Sequence, residues 1–284
     1  MRDSDITKLA YKSFRSLKKR LGEFDAVVEC NEIAIREFTQ QVKTSGNTKK
    51  YIQELSLKHQ VRVNEVDFLK FASRIRQFYV LSVSQQGDQF LTEFEKEYKE
   101  YHPEKTWDKY PEKTALYTVL MNVFGSEPIA FHHLSEAVFQ GYEYYRLIRN
   151  LVAHSENYKV SKITNQYKLT IGFKQELQEK YHLSGGLNVY TDINYYDFLM
   201  ITNIVKNIGY CLCEHATPNN QRIAEILLNL KNEKGNLIIK GILKLKNNEI
   251  RFEKALLSLL HTSFGRFSST DKEEIVKIVK SLLA

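Results

Sequence analysis

The chain contains little that would break a helix: 4 prolines and 12 glycines in 284 residues. Proline removes a backbone donor and glycine loosens the chain, so their scarcity permits long helices and argues against a turn-rich all-β fold. Cysteine is scarcer still. The thiols of Cys30, Cys211 and Cys213 make no disulfide framework and suit a reducing compartment, where they pack as small apolar groups. No apolar run approaches the roughly 18–20 residues that a membrane span needs. The opening MRDSDITKLAYKSF carries acids early and has no apolar h-region, so no signal peptide is expected. The expected compartment is the cytoplasm.

What is present is ordinary for a globular protein. Hydrophobic residues make up 43% and charged residues 26%, which excludes wholesale disorder. The length suffices for one sizeable core, or a core with a smaller appended module. Tyrosine (17) and phenylalanine (16) dominate the aromatics; a packed helical core or base stacking would each use them. The net charge of +7 is unevenly placed. Residues 1–20 hold seven Lys/Arg against two Asp/Glu, and residues 217–284 hold twelve against seven. Basic ends around a slightly acidic middle could gather a polyanion by counterion release. Solvated helix faces account for the same pattern.

Along the chain, ITKLAYKSFRSLKKRL and EFDAVVECNEIAIREFTQQV place apolar residues three and four apart, which predicts two helices. TSGNT at 44–48 reads as a loop. A long helical pattern runs from Tyr51 to Ser84, with VRVNEV as a candidate break. The polar stretch 99–113 holds two of the prolines and marks a boundary. EKTALYTVLMNVF predicts the next helix, closed by Gly125 and Pro128. After residue 154, KVSKITNQYKLTIGF and SGGLNVYTDI suggest a small β-hairpin or an ordered loop. NYYDFLMITNIVKNIGYCLCEH returns to helix, and ATPNN marks a second boundary. The last helix opens with Thr270 and Glu273 at capping-box spacing. The expected organisation is an N-terminal helical region over 1–110, a helical domain over 111–217, and a small basic α-rich module over 218–284.

From Phe131 the small or apolar positions run Phe131, Leu134, Val138, Gly141, Tyr145, Ile148, Val152. Their alternating spacing of three and four defines one buried stripe along a single long helix. On a helical projection Glu143, Arg146, Asn150 and His154 fall together on the opposite side, with Arg149 on the flank. These side chains suit metal-free cutting of RNA. A base must take the ribose 2′-hydroxyl proton and an acid must protonate the leaving oxygen; imidazole can serve at neutral pH. Charge gathers on the phosphate oxygens in the transition state, and a guanidinium matches them with paired hydrogen bonds. Asn150 could orient the imidazole or bind a phosphate oxygen. Arg149 and His154 lie about 140° apart on an ideal helix, so convergence is expected from two copies packed around a symmetry axis.

The segment Arg149-Asn150-Leu151-Val152-Ala153-His154, late in a long helix, resembles the Arg-x4–6-His signature of HEPN domains. A polar residue often follows the arginine in that family, and Asn150 fits. The resemblance covers residues 112–216. It implies a mainly α helical bundle, a homodimer with a composite active site, and metal-independent endoribonuclease activity leaving 2′,3′-cyclic phosphate and 5′-hydroxyl ends. Arg149, Asn150 and His154 would be catalytic, with Glu143 and Arg146 in support. The implied setting is a toxin or a phage-defence effector, with RNA as substrate and an antitoxin or activator protein as a further partner. No cofactor and no metal are implied. HEPN toxins modified by a partner nucleotidyltransferase carry a Tyr two residues after the His; here Glu156 stands there and Tyr158 is the nearest tyrosine. The alternative is a non-catalytic HEPN-like module that binds RNA or a partner protein.

Other candidates carry less. His132, His133 and Glu136 lack an obvious third converging ligand for a metal. On a helix Cys211 and Cys213 point about 200° apart, so with His215 they read as packed side chains. Gly185-Gly186 lacks the flanking strand and helix of a phosphate-binding loop and reads as a turn. The C-terminal basic region with Phe252, Phe264 and Phe267 could bind nucleic acid or serve as a capping or dimer-stabilising module.

Overall fold

The computed structural model describes residues 6–64, 67–154, 159–231 and 235–283, without the side chain of Leu69. The fold is mainly α, as the scarcity of breakers implies. In chain order the helices are α1 (Lys12–Thr44), α2 (Thr48–His59), α3 (Phe68–Tyr101), α4 (Ala115–Phe124), α5 (Glu127–Leu134), α6 (Glu136–Ala153) and α7 (Val160–Thr170). There follow α8 (Lys174–Tyr181), α9 (Tyr195–His215), α10 (Asn220–Asn229), α11 (Ile239–Leu243), α12 (Glu249–Phe264) and α13 (Ser269–Leu282). Strands among the described residues are limited to β1 (Lys8–Leu9) and β2 (Gly265–Arg266). No helix of the described residues is long and apolar enough to cross a membrane.

Several expected boundaries move. The two N-terminal helices are one, α1, which runs through Gly22 without a break. Residues 8–9 are strand instead. The expected 51–84 helix is interrupted after α2, where Gln60 takes a left-handed φ of 56° and closes the helix. Of VRVNEV, residues 61–64 are irregular, while Glu65 and Val66 lie outside the described residues. KVSKITNQYKLTIGF forms no hairpin. Ile163 and Thr170 are fully buried and Tyr167 half-buried, a three–four spacing that makes one face of α7. The ordered-loop alternative is met at 182–194. The final helix is capped two residues earlier than expected: the Ser268 hydroxyl accepts from Asp271 N at 3.1 Å and donates to the Asp271 carboxylate at 2.7 Å.

The chain folds as two units, each assembled from separate segments. The first takes Met1–Ser16, Asp88–His133 and Gly209–Ala284. Its core is aromatic. Tyr11 packs against Phe94 and Tyr101 with ring centres 4.9 and 4.8 Å apart, and its hydroxyl donates to Ala216 O at 2.5 Å. β1 pairs antiparallel with β2, Leu9 opposite Gly265. Gly265 has φ 105°, and a Cβ there would lie 2.8 Å from Lys8 O, so only glycine lets the strands meet.

The second unit takes Leu17–Gly87 and Leu134–Ile208, and α6 is enclosed within it. Gly141 faces Ile204 of α9 and Leu177 of α8; a Cβ there would lie 2.8 and 3.2 Å from their Cδ1 atoms. Tyr142 reaches Gly87 of α3. Tyr144 packs against Tyr167 of α7 with the rings tilted and their centres 5.4 Å apart. Gln166 and Thr170 of α7 both donate to Gln140 O, at 3.4 and 3.2 Å.

A buried carboxylate fixes the start of α9 in this unit. Asp197 is fully buried and accepts from Tyr145 Oη (2.8 Å), Asn188 N (3.0 Å), Asn188 Nδ2 (2.7 Å) and Asn194 N (2.9 Å). Asn194 Oδ1 in turn accepts from Tyr196 N at 2.8 Å. The charge is compensated by four donors, as burial requires.

Candidate functional site

The stretch expected as one helix from Phe131 to His154 is two. Ser135 separates α5 from α6 with φ 70°, and its hydroxyl accepts from Val138 N at 3.3 Å. The hydroxyl satisfies one of the amides that a new helix leaves open, and this is why α6 restarts there. Along the expected stripe Leu134, Val138, Gly141, Tyr145 and Ile148 are buried, while Phe131 and Val152 are half-buried.

Burial does not stop at the stripe. Positions 141 to 145 are buried without a gap, because α3, α7, α8 and α9 approach from different sides. Glu143, which the projection puts on an open face, is only 7% exposed. It pairs with Arg146: Nε and Nη2 both donate to Oε2, at 2.9 and 2.7 Å. The other oxygen, Oε1, is buried with no hydrogen-bond partner among the described residues. Arg146 is half-buried. Glu143 and Arg146 are therefore brought together as the projection implies, inside the unit and not on an open surface.

Access opens in the last turn. Arg149 and Asn150 are half-buried and His154 is exposed. His154 caps the helix with φ −137° and ψ 50°, and its backbone N–H donates to Asn150 O at 2.9 Å. The chain leaves the helix at the imidazole, so the ideal projection of His154 ends there. The helix C-terminus carries partial negative charge, which favours cationic side chains nearby. Glu156 and Tyr158 lie outside the described residues.

Tyrosines deeper in α6 are unsuited to proton transfer at neutral pH. Burial, then the charge of Glu143, pushes the Tyr142 phenol well above its ordinary value. Burial and Asp197 do the same to Tyr145. Both hydroxyls stay protonated and act as structural groups.

The first unit joins two sets of residues that the sequence kept apart. His133 of α5 meets His215 of α9 with ring centres 3.8 Å apart, and Phe124 of α4 lies 5.5 and 5.0 Å from them. His132 is 5.0 Å from His133. The two rings meet at a tilt of 47°. No group of three or more His, Cys, Asp or Glu among the described residues is arranged to hold a metal. Burial, then the neighbouring His133, holds the His215 imidazole below its ordinary value, against the pull of Glu214. Cys211 and Cys213 are buried, as expected of packed thiols, and Cys30 is exposed.

Sequence reasoning missed the polar hub at Asp197 and a second buried carboxylate, Glu32. Glu32 is 4% exposed and accepts a two-pronged bond from Arg76 (3.0 and 2.7 Å) and one from Arg36 (2.9 Å). The Asn194-x-x-Asp197 spacing carries a helix-start signal. The spacing Glu32-x3-Arg36 is legible as an ion pair, but Arg76 comes from another helix.

No protein-family model, no curated protein and no solved structure matches the chain.

Proposed function

We propose that the chain is a metal-independent endoribonuclease acting through Arg149, Asn150 and His154. The observation that carries this reading is the last turn of α6. An otherwise enclosed helix ends in a guanidinium, an amide and an imidazole that are half-buried or exposed, and RNLVAH resembles the HEPN signature. In the proposed step His154 removes the ribose 2′-hydroxyl proton or protonates the leaving 5′-oxygen. The 2′-oxygen bonds to phosphorus, the 5′-oxygen leaves, and a 2′,3′-cyclic phosphate and a 5′-hydroxyl result. Arg149 offsets charge on the phosphate oxygens and Asn150 orients. Two copies paired about a twofold axis would complete the acid and the base. A role as toxin or phage-defence effector, held by an antitoxin or activator, belongs to the same reading.

The test is incubation of wild type and His154→Ala with total RNA in excess EDTA, with analysis of the fragment ends. Cleavage by wild type alone, leaving cyclic-phosphate and 5′-hydroxyl ends, is the expected result. Equal cleavage by both proteins would refute the site.

The half-burial of Arg149 favours a second reading, a non-catalytic module in which Arg149 anchors the end of α6 while RNA or a partner protein is bound. Under it no cleavage is seen, and Arg149→Ala lowers the melting temperature while His154→Ala does not.

A further inference from the structure

Three features outside the α6 site invite a function: the His133–His215 pair, a Trp107–Tyr110 pocket, and an apolar groove in the second unit. The groove carries an inference furthest. It runs between α1, α2 and α3 as two adjoining cavities of 410 and 450 Å³. Phe38 and Phe71 line both, Ile52, Leu55 and Val63 line one, and Ile75 lines the other.

This groove is under-covered. α2 buries none of its residues, although an isolated helix of its length is marginal in water. Val61 and Val63, which also line it, are 58% and 41% exposed. On α1 the lining runs from Asn31 to Gln41, about 15 Å at helical rise. That matches three turns of a docked helix.

The surrounding charge is mostly positive. Lys58, Arg62 and Arg74 are exposed and are immediate chain neighbours of the lining residues His59, Val61, Val63 and Ile75. None of the three takes part in an ion pair among the described residues. Of the acids nearby, Glu32 pairs with Arg36 and Arg76, Glu54 with Lys50 and Asp67 with Lys70, while Glu37, beside Phe38, is exposed. An apolar groove with a basic rim complements an apolar stripe with acidic flanks.

We infer that the groove of α1, α2 and α3 receives an amphipathic helix of another protein, with apolar residues at i, i+3 and i+7 and Asp/Glu beside them. The inference is independent of the ribonuclease reading, and its failure would leave that reading intact.

A displayed peptide library tests it on the full chain, with Leu fixed at i, i+3 and i+7 and the flanks drawn from Glu, Lys, Gln and Ser. Enrichment of Glu is expected. The selected peptide should bind at least about tenfold more weakly to Arg62→Glu/Arg74→Glu, and weaken as salt rises. Leu55→Glu and Val63→Glu should abolish binding while circular dichroism stays unchanged, since neither side chain is buried. Enrichment of Lys, no enrichment, or binding that survives both sets of variants overturns the inference. Sedimentation of the free chain gives a separate check: self-association lost in Leu55→Glu would make the occupant a second copy. RNA binding lost in the same variant would make it nucleic acid. Either result overturns the inference too.

Discussion

Glu143 and Arg146, one turn apart on α6, are joined through a single carboxylate oxygen: Nε and Nη2 of Arg146 both donate to Oε2 of Glu143, at 2.9 and 2.7 Å. The pair lies where α6 passes from full enclosure to its accessible last turn.

Removing one partner should therefore cost more than removing both. Arg146→Gln alone leaves a carboxylate buried without its cation, a change typically worth ~3–5 kcal/mol. Glu143→Gln with Arg146→Gln should cost clearly less. Urea denaturation of the two single variants and the double variant measures the coupling; additive losses would show that the pair does not act as one.

His154 should separate activity from stability. It is exposed at the end of the helix, so His154→Ala should leave the melting temperature within a degree or two. EDTA-resistant cleavage, in the proposed mechanism, should fall by about a hundredfold or more. A large drop in melting temperature would instead make His154 structural.

Gly141 is a packing position. In Gly141→Ala the new methyl meets Ile204 Cδ1 at 2.8 Å and Leu177 Cδ1 at 3.2 Å. Overpacking costs ~1–3 kcal/mol, and the helix preference for alanine returns about 1 kcal/mol. A modest net loss is expected. Ile204→Val removes the nearest atom, so Gly141→Ala in that background should be neutral or stabilising. Equal losses in both backgrounds would place the strain elsewhere.

Two pH dependences follow from the raised and lowered groups. His215 is held below its ordinary value of 6.5, so its contribution to stability is full above that pH and is lost as pH falls below it. Melting temperatures at pH 5 and 7 should differ less in His215→Phe than in wild type.

At the other end, Tyr11, Tyr142, Tyr144 and Tyr145 are all raised above 10.0, burial being the first cause. Their unfolded forms ionise first, so stability is full below about pH 10 and falls above it. Tyrosinate absorbance from these four should appear only together with loss of helical dichroism. Ionisation well before unfolding would mean that the phenols are accessible.

The sequence by itself determined the helical class, because a chain with 4 prolines and 12 glycines and a three–four apolar rhythm has few other ways to bury its side chains. It also determined the core line Leu134, Val138, Gly141, Tyr145, Ile148 and the adjacency of Glu143 to Arg146, since both are consequences of 3.6 residues per turn. Only the tertiary structure decided that Glu143 is interior, that His133 meets His215, and that Glu32 joins Arg76. Periodicity shows which side chains share a face of one helix. It does not show how many neighbours surround that helix, and α6 is enclosed on several sides. Nor did it show the interruption at Ser135, where the backbone takes φ 70° and the serine hydroxyl caps a new helix start.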